Sequence, residues 1–217
     1  MRSRSEEDYL KAIYSLSIKG SSTSTNEIAN ALTMKASSVT DMLKKLADKK
    51  WVNYIKYKGV TLTKEGKQIA LQIIRKHRLW ETFLVTNLNF KWDEVHDIAE
   101  QLEHIDSIEL INRLDKHLGF PKFDPHGDPI PTKNGVFNFQ ERISIFEMDI
   151  NEEGIIMGVS LDNKDFLDHL TKLKISIGTR VRVLEQIKFD QSMKITYDSR
   201  TEHISKEIAE NILIKIN

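Results

Sequence analysis

The sequence predicts a mainly α-helical protein with a β hairpin near its N-terminal end and a small β-rich domain at its C-terminal end. Three observations support this fold class. Apolar residues recur at helical intervals over most of residues 6–118. Two β-type runs, 51–55 and 60–62, flank a turn and predict a hairpin. All four prolines fall within 121–131, and short β-type runs follow them, so we expect a domain boundary in that segment.

Composition narrows the class of protein further. The 217 residues are 29% charged and 40% hydrophobic, which suits one or two folded domains and excludes a fully disordered chain. No apolar run approaches the ~20 residues that cross a bilayer, and the N-terminal residues contain no apolar signal core. The chain has no cysteine, which excludes disulfides, thiolate metal sites and a cysteine nucleophile. We expect a cytoplasmic protein with no membrane partner.

Charge is distributed unevenly along the chain, although the formal net charge is zero. Residues 1–78 contain 16 Lys+Arg and 7 Asp+Glu, a net charge of +9. Residues 79–150 contain 6 and 14, a net charge of −8, and residues 151–217 are close to neutral at −1. The basic segment suits an anion such as DNA, and the acidic segment suits cations.

The basic segment has the element order of a winged helix-turn-helix. A helix over 6–18 precedes a polar loop at Gly20–Ser24, and Thr25 is the predicted N-cap of a short second helix. After a break at 33–35, Ala36 or Ser37 begins a third helix, and the hairpin follows. In this fold the last helix of the pair enters the major groove. We predict a DNA-binding domain over residues 1–73.

The predicted DNA contacts have two chemistries. Short hydrogen-bonding side chains at the start of the recognition helix would read base edges, and they are Ser37, Ser38, Thr40 and Asp41. Lysines beside that helix and at the hairpin tip would pair with phosphates, and they are Lys35, Lys44, Lys45, Lys56 and Lys58. Two alternatives are a structural three-helix unit with a solvated lysine face and a winged helix that binds protein. The hairpin and the local charge favour DNA.

The rest of the chain divides at the prolines. A long helix over 64–87 and helices over 92–104 and 107–118 predict a helical domain, which with the proline-rich linker covers residues 74–141. Residues 142–217 contain β-type runs around one helix at 165–173 and predict a five-stranded barrel.

Metal-ligand residue types recur at helical spacing in the acidic segment. His77 and Glu81 are separated by four residues, and His96, Glu100, Glu103 and His104 repeat on one face of the next helix. Imidazole and carboxylate without sulfur suit Mn²⁺ or Fe²⁺. Solvated helix faces are one alternative and a metalloenzyme is another. The sequence lacks His-Glu-x-x-His and the paired Glu-x-x-His helices of di-iron proteins, which disfavours the enzyme.

Four stretches also resemble a known family. They are Arg75-Lys76-His77-Arg78-Leu79-Trp80-Glu81, Val95-His96-Asp97, Glu100-Gln101-Leu102-Glu103-His104, and the linker from Phe120 to Pro131. With them, essentially the whole chain resembles the diphtheria-toxin-repressor-type metalloregulators, the metal-dependent winged-helix repressors of bacteria. The resemblance implies an SH3-like (FeoA-type) C-terminal domain and dimerisation through the helices that follow the DNA-binding domain.

The resemblance also implies two metal sites. The primary, activating site would consist of Asp8, Glu100, Glu103 and His104, with Asp124 as a further ligand from the linker. The secondary site would consist of His77, Glu81 and His96, completed by His126 and by Asp162, with Asp165 as the alternative. Carboxylates at positions 8 and 100 resemble the manganese-sensing branch, whereas the iron-sensing branch has sulfur residues there. Lys11 departs from the pattern, because some manganese sensors carry a second carboxylate at that position.

The function implied is a homodimeric, Mn²⁺-activated repressor that binds palindromic operator DNA and controls genes for manganese uptake. An iron-dependent repressor is the alternative within the family, and Zn²⁺ is a further candidate ion. We expect neither enzymatic activity nor a small-molecule substrate. A winged-helix adaptor without metal remains the alternative outside the family.

Overall fold

The computed structural model describes residues 2–17, 22–137 and 140–216, which form two compact units. The first unit comprises residues 1–77, 100–111 and 131–137, and the second comprises the remainder. The end of the first predicted helix at 18 and the start of the predicted loop at 20–21 lie outside the described residues. Helices α4 (Lys64–Leu88), α5 (His96–Leu102) and α6 (Ile108–His117) run through both units.

The first unit is a winged helix-turn-helix, as predicted. It contains α1 (Arg4–Ser17), α2 (Thr25–Ala31), α3 (Ala36–Asp48) and the antiparallel hairpin of β1 (Val52–Ile55) and β2 (Gly59–Leu62). Apolar residues spaced at helical intervals on α1 and α3 pack with the hairpin and α4. The core that they form together includes Tyr9, Leu10, Ile13, Val39, Leu43, Leu46, Val52, Val60 and Ile73. The apolar spacing in the sequence therefore locates this core.

The N-cap of α2 is Ser24, so the prediction of Thr25 is wrong by one residue. Glu27 donates its N–H to Ser24 Oγ at 3.2 Å, and the Ser24 N–H donates to Glu27 Oε2 at 2.7 Å. This reciprocal capping box needs Glu three residues after the cap, a spacing that Ser24 satisfies and Thr25 does not.

The wing is joined to the loop before α2. Thr23 and Val60 exchange backbone hydrogen bonds of 3.0 and 2.9 Å, which form an isolated antiparallel β-bridge between the loop and β2. The bridge ties β2 to the residue that precedes the N-cap of α2.

The second unit is built on a six-stranded antiparallel sheet in the order β3-β8-β4-β5-β6-β7. Its strands are β3 (Ile143–Ser144), β4 (Glu153–Val159), β5 (Arg180–Gln186), β6 (Met193–Tyr197), β7 (Arg200–Ile204) and β8 (Ile212–Ile216), with helices α7 (Lys164–Leu173) and α8 (Lys206–Glu210). The sequence predicts five strands, whereas the structure has six, and β8 pairs with both β3 and β4. Among the described residues, no helix has the length and apolarity that a membrane span requires.

Helix α5 is shorter than the predicted helix over 92–104. Residues 91–94 instead form a turn in which Glu94 N–H donates to the Lys91 carbonyl at 3.0 Å. Trp92 is held by other partners in the second unit: its Nε1–H donates to Thr171 Oγ1 at 2.9 Å, and its carbonyl lies 2.8 Å from His126 Nε2. Tertiary contacts therefore override the local helical pattern.

The linker contacts β4 closely at Gly127. The Val159 N–H donates to the His126 carbonyl at 3.0 Å. Gly127 has φ +86°, and a Cβ there would lie 2.1 Å from the Met157 carbonyl oxygen and 2.4 Å from Gly158 Cα. Both the backbone conformation and the close approach therefore require glycine.

Gly127→Ala should destabilise the second unit more than a positive-φ substitution alone does. Alanine in this conformation costs ~1–3 kcal/mol, and the added methyl group must also push the linker away from β4. Gly178→Ala is the matched control, since Gly178 has φ +90° with nothing within 4 Å of its Cβ position. We expect Gly127→Ala to lower the melting temperature at least about twice as far. Equal shifts would contradict the close linker contact.

Candidate metal centre and DNA-binding surface

The first turn of α1 is fixed by a capping box at Ser3. The Ser3 N–H donates to Glu6 Oε2 at 3.1 Å, and the Glu6 N–H donates to Ser3 Oγ at 3.3 Å. The helix therefore begins at Arg4 and carries three consecutive carboxylates, those of Glu6, Glu7 and Asp8. They lie where the positive end of the helix dipole favours negative charge.

Asp8, Glu103 and His104 each bring one potential ligand atom to a common point. The three atoms lie within 4.8 Å of one another. His104 Nε2 is 3.0 Å from Asp8 Oδ1 and 3.8 Å from Glu103 Oε1. Two carboxylate oxygens and an imidazole nitrogen suit a divalent cation such as Mn²⁺ or Fe²⁺. Three residues predicted for the primary site are thus together in the first unit.

Glu7 orients the imidazole of this cluster. Its Oε2 lies 2.8 Å from His104 Nδ1. A carboxylate accepts hydrogen bonds and does not donate them, so Nδ1–H donates to Glu7. Nε2, which faces Asp8 Oδ1 at 3.0 Å, is the nitrogen that a metal ion would bind once it has lost its hydrogen. Carboxylates orient metal-binding histidines in this way. Glu7 was not predicted as a residue of this site. Its position next to Asp8 is the only feature of the sequence that points to it.

The surroundings of Glu103 and Asp8 shift the pKa values of these two carboxyl groups in opposite directions. Burial alone raises the pKa of Glu103, but hydrogen bonds and positive charge from His77 and Lys11 outweigh burial and lower that pKa. Burial also raises the pKa of Asp8, and there His104 and Arg4 offset only part of the increase. Glu103 is therefore the more firmly ionised of the two.

Glu100 lies at the edge of the cluster and contacts a lysine. Its Oε1 accepts a hydrogen bond from Lys11 Nζ at 3.2 Å, and Lys11 also donates to Glu103 Oε2 at 2.7 Å. Glu100 is not within the 4.8 Å set of Asp8, Glu103 and His104. Its role as a primary ligand stays a prediction.

In the second unit, Glu81 lies among most of the residues predicted for the secondary site. His96 Nδ1 lies 3.6 Å from Glu81 Oε1 and 3.7 Å from Asp162 Oδ2. His126 Nδ1 lies 3.7 Å from Glu81 Oε2. Burial lowers the pKa of His126, but the hydrogen bond and charge of Glu81, with the charge of Asp124, raise it to about 9. Four of the five predicted residues are thus close together here.

His77, the fifth predicted residue, contacts the primary cluster. It lies one turn before Glu81 on α4. Its Nδ1 is 2.6 Å from Glu103 Oε2 and 3.3 Å from Lys11 Nζ. Coordination by His77 at the secondary site stays a prediction.

Asp124 closes the linker turn in the second unit. Its Oδ1 accepts the backbone N–H groups of His126 and Asp128, both at 2.9 Å. Its Oδ2 is 3.4 Å from Arg78 Nε, and its ligand atoms fall within 4.8 Å of those of Glu81 and His126. Burial, together with the charges of Glu81 and Asp128, raises the pKa of Asp124. The predicted primary-site role of Asp124 stays a prediction.

The recognition helix α3 presents its predicted DNA contacts to solvent. Exposed positions are Lys35, Ser37, Ser38, Asp41, Lys44 and Lys45, and Thr40 is half-buried. Thr40 Oγ1 donates to the Ala36 carbonyl at 3.0 Å, and Lys44 Nζ lies 3.2 Å from Asp41 Oδ1. These bonds are local and exposed, so they leave the face of the helix accessible.

Two lysines at the end of α3 pair with a buried carboxylate of α1. Glu6 is 1% exposed, and its Oε1 lies 2.9 Å from Lys45 Nζ and 2.6 Å from Lys49 Nζ. Neither Glu6 nor Lys49 was predicted as functional, because the sequence does not show which side of α1 faces α3. The metal cluster and the recognition helix thus contact consecutive residues of one helical turn.

The wing tip presents an aromatic ring between its two predicted lysines. Lys56 and Lys58 are exposed, and Tyr57 between them is 94% exposed. Lys56 Nζ lies 4.9 Å from the centre of the Tyr57 ring. Tyr57 was not predicted as a DNA contact. Its position between two lysines at a hairpin tip is the feature of the sequence that could have identified it.

Comparison with known protein families gives three matches that together cover most of the chain. Residues 1–60 match the family described as iron dependent repressor, N-terminal DNA binding domain. Residues 63–132 match iron dependent repressor, metal binding and dimerisation domain. Residues 144–216 match the FeoA domain.

Individual relatives agree with these families. A solved structure of a manganese-dependent transcriptional repressor in complex with manganese shares 34% identity and superposes with a TM-score of 0.87 over 98% of this chain and 100% of that chain. The HTH-type transcriptional regulator MntR of Bacillus pumilus is 35% identical over 52% of this chain and 78% of its own length. Other solved relatives contain Zn²⁺ or Cd²⁺.

Coverage of other curated relatives is partial. The iron-dependent repressor IdeR of Mycobacterium bovis is 33% identical over 58% of this chain. The match spans only 16% to 54% of the length of the first curated relatives.

Glu6→Gln should remove an acid-sensitive part of the stability. Burial raises the pKa of Glu6, but hydrogen bonds from Lys49, Lys45 and the Ser3 N–H lower it to about 2, from an ordinary value of 4.5. A carboxyl group with a lowered folded pKa stabilises the fold above its unfolded pKa, and the contribution is lost as the pH falls from about 4.5 towards about 2. We expect the urea midpoint of the wild type to fall more steeply than that of Glu6→Gln between about pH 5 and about pH 3.

Glu185→Gln is the control for this pH dependence. Glu185 is an exposed carboxylate on β5, and its variant should keep the wild-type slope. If Glu6→Gln also kept that slope, Glu6 would not be paired with the two lysines in solution.

Proposed function

Because the chain belongs to the diphtheria-toxin-repressor-type family of metal-dependent transcriptional repressors, we propose that it is a homodimeric, Mn²⁺-activated repressor of double-stranded operator DNA. The observation that carries the proposal is the convergence of Asp8, Glu103 and His104, since Asp8 belongs to the first helix of the DNA-binding fold. The family consists of DNA-binding repressors and not of enzymes. As a regulator bound to chromosomal DNA, it would act in the cytoplasm.

The donor set favours Mn²⁺ over softer ions. Asp8 and Glu103 supply oxygen, His104 supplies one imidazole nitrogen, and the chain has no thiolate to offer. Oxygen-rich sites with imidazole suit Mn²⁺, whereas sulfur ligands favour softer metals. Fe²⁺ is the alternative, because both matching repressor families are described as iron dependent. Zn²⁺ is a competitor that such ligands also accept.

The site residues would tie two segments together. Asp8 lies on α1, whereas Glu103 and His104 follow α5. A bound Mn²⁺ would supply two positive charges between these carboxylates. Glu7 would hold His104 Nε2 towards the same point through the bond at Nδ1. The first turn of α1 would thereby be held against the segment that contains Glu103.

Glu6 would transmit the position of α1 to the recognition helix. Its carboxylate is buried and contacts Lys45 and Lys49 at the end of α3. A helical turn behaves as one rigid unit, so Asp8 cannot shift without moving Glu6. Fixing α1 would therefore restrict the orientation of α3. Metal raises DNA affinity only by the extent to which it favours the DNA-competent geometry.

Dimerisation would place two recognition helices on one palindrome. Residues 63–132 match a dimerisation domain, and within them Ile108 is 80% exposed and Leu110 is also exposed. Such exposed apolar side chains favour an interface between copies of the chain. Two α3 helices ~34–36 Å apart would enter successive major grooves. Genes for manganese uptake are the proposed targets.

The remaining assignments are also proposals. A secondary site would use Glu81, His96, His126 and Asp162, with His77 added from the preceding turn of α4. Their close approach around Glu81 supports this set. Glu100 and Asp124 are proposed as further primary-site ligands.

Removing either primary carboxylate should abolish the metal response. We expect Mn²⁺ to raise operator affinity ~5–150-fold in the wild type, the usual range of allosteric coupling, and less than about twofold in Asp8→Asn and Glu103→Gln. The measurement is fluorescence anisotropy with a DNA fragment that the Mn²⁺-loaded protein selects from a random library. Parallel titrations with Fe²⁺ and Zn²⁺ compare the candidate ions.

Asp168→Asn is the control for these variants. Asp168 forms an exposed ion pair with Lys172 in the second unit, so its loss should leave the Mn²⁺ response unchanged. A normal response in Asp8→Asn and Glu103→Gln would refute the primary site, and a chain that binds DNA equally with and without any metal would be a metal-free adaptor.

A further inference from the structure

The Lys11 ammonium group lies among candidate metal ligands. Its Nζ is 2.7 Å from Glu103 Oε2, 3.2 Å from Glu100 Oε1 and 3.3 Å from His77 Nδ1. The side chain is largely buried. Two carboxylates and an imidazole thus surround a positive charge that belongs to the protein itself.

Lys11 and the proposed metal would occupy opposite sides of Glu103. Glu103 Oε1 faces His104, and Glu103 Oε2 accepts hydrogen bonds from Lys11 and His77. Lys11 follows Asp8 by three residues on α1, so both side chains lie on the same face of the helix. One helix therefore contributes a carboxylate to the cluster and a cation beside it.

The charges of this cluster balance with one divalent ion. Asp8, Glu100 and Glu103 carry three negative charges, and the neighbouring carboxylate of Glu7 is paired with Arg2 at 3.2 Å. Lys11 and one divalent ion carry three positive charges. A second divalent ion on the Oε2 side of Glu103 would have to displace the lysine or lie close to a like charge, which is unfavourable in a partly buried site.

We propose that Lys11 is an internal cation that restricts the primary site to one divalent ion and weakens the binding of that ion. This inference rests on the proposed function, because it takes Asp8, Glu103 and His104 as the metal ligands. Lys11 attracts the same carboxylates that the metal needs, so the metal must bind against its positive charge. The lysine thereby raises the metal concentration at which the protein responds.

The test measures Mn²⁺ binding directly in chains with one working site. His96→Ala serves as the background, since it removes a proposed secondary-site residue that is only partly buried. In this background, Lys11→Gln should bind Mn²⁺ about tenfold more tightly by competition calorimetry, still with one ion per chain. Lys11→Glu should bind a second ion, visible as exchange coupling between two Mn²⁺ ions in electron paramagnetic resonance.

Two further variants separate charge from packing. Lys11→Arg keeps the positive charge and should keep the background affinity within about threefold. Lys172→Gln removes an exposed lysine of the second unit and should also leave the affinity unchanged. If Lys11→Gln does not fold, Lys11→Met keeps the long side chain without charge and is expected to show the same gain.

The outcomes distinguish this inference from the proposed function. Unchanged or weaker Mn²⁺ binding in the neutral variants would overturn the role of Lys11. If Asp8→Asn loses Mn²⁺ binding at the same time, the primary site itself would stand. If Asp8→Asn and Glu103→Gln bind Mn²⁺ normally, the primary site fails and the inference about Lys11 fails with it.

Discussion

Three consecutive carboxylates in the first turn of α1 make the contacts on which the proposed regulation depends. Successive side chains of a helix point about 100° apart, so neighbours in sequence face different partners. Glu6 faces the lysines at the end of α3, whereas Glu7 and Asp8 contact the two nitrogens of His104. One rigid turn therefore touches both the candidate metal site and the recognition helix.

Electrostatics favours cations on both sides of this turn. Glu6 is buried and is stabilised by two ammonium groups of the basic segment. Asp8 lies beside Glu103, and burial raises the pKa of Asp8, so a cation between them would relieve an unfavourable environment. The zero net charge of the chain conceals this arrangement, in which a segment of +9 contacts ligands from a segment of −8.

Much of the fold was predictable because local patterns determine it. Helices α1, α3 and α4 and the wing agree with the predicted elements to within about two residues, since apolar spacing and turn residues specify them. The strand β7 was missed, because its sequence Arg-Thr-Glu-His-Ile is mostly polar and its pairing with β6 is a tertiary contact. The start of α5 was wrong because Trp92 is held by Thr171 and His126, both distant in sequence.

The residues of the candidate metal site could be predicted from the sequence. The contacts that these residues make with their neighbours were harder to predict. Asp8, Glu103 and His104 were named from the family resemblance, and they lie together. The partners Glu6, Glu7 and Lys11 follow from the rotation of α1 about its axis, which helix packing determines and periodicity alone does not. Lys45 was predicted to contact phosphate, and its pairing with Glu6 required the packing of α1 against α3.

The central claim is that α1 couples metal binding to DNA binding through Glu6. Coupling is reciprocal, so operator DNA must raise Mn²⁺ affinity by the same factor by which Mn²⁺ raises operator affinity. The most direct measurement is the Mn²⁺ affinity with and without operator, in the wild type and in Glu6→Gln. We predict a factor of ~5–150 in the wild type and a factor at least about fivefold smaller in the variant, with equal Mn²⁺ affinities when DNA is absent. The same factor in both proteins would contradict coupling through Glu6.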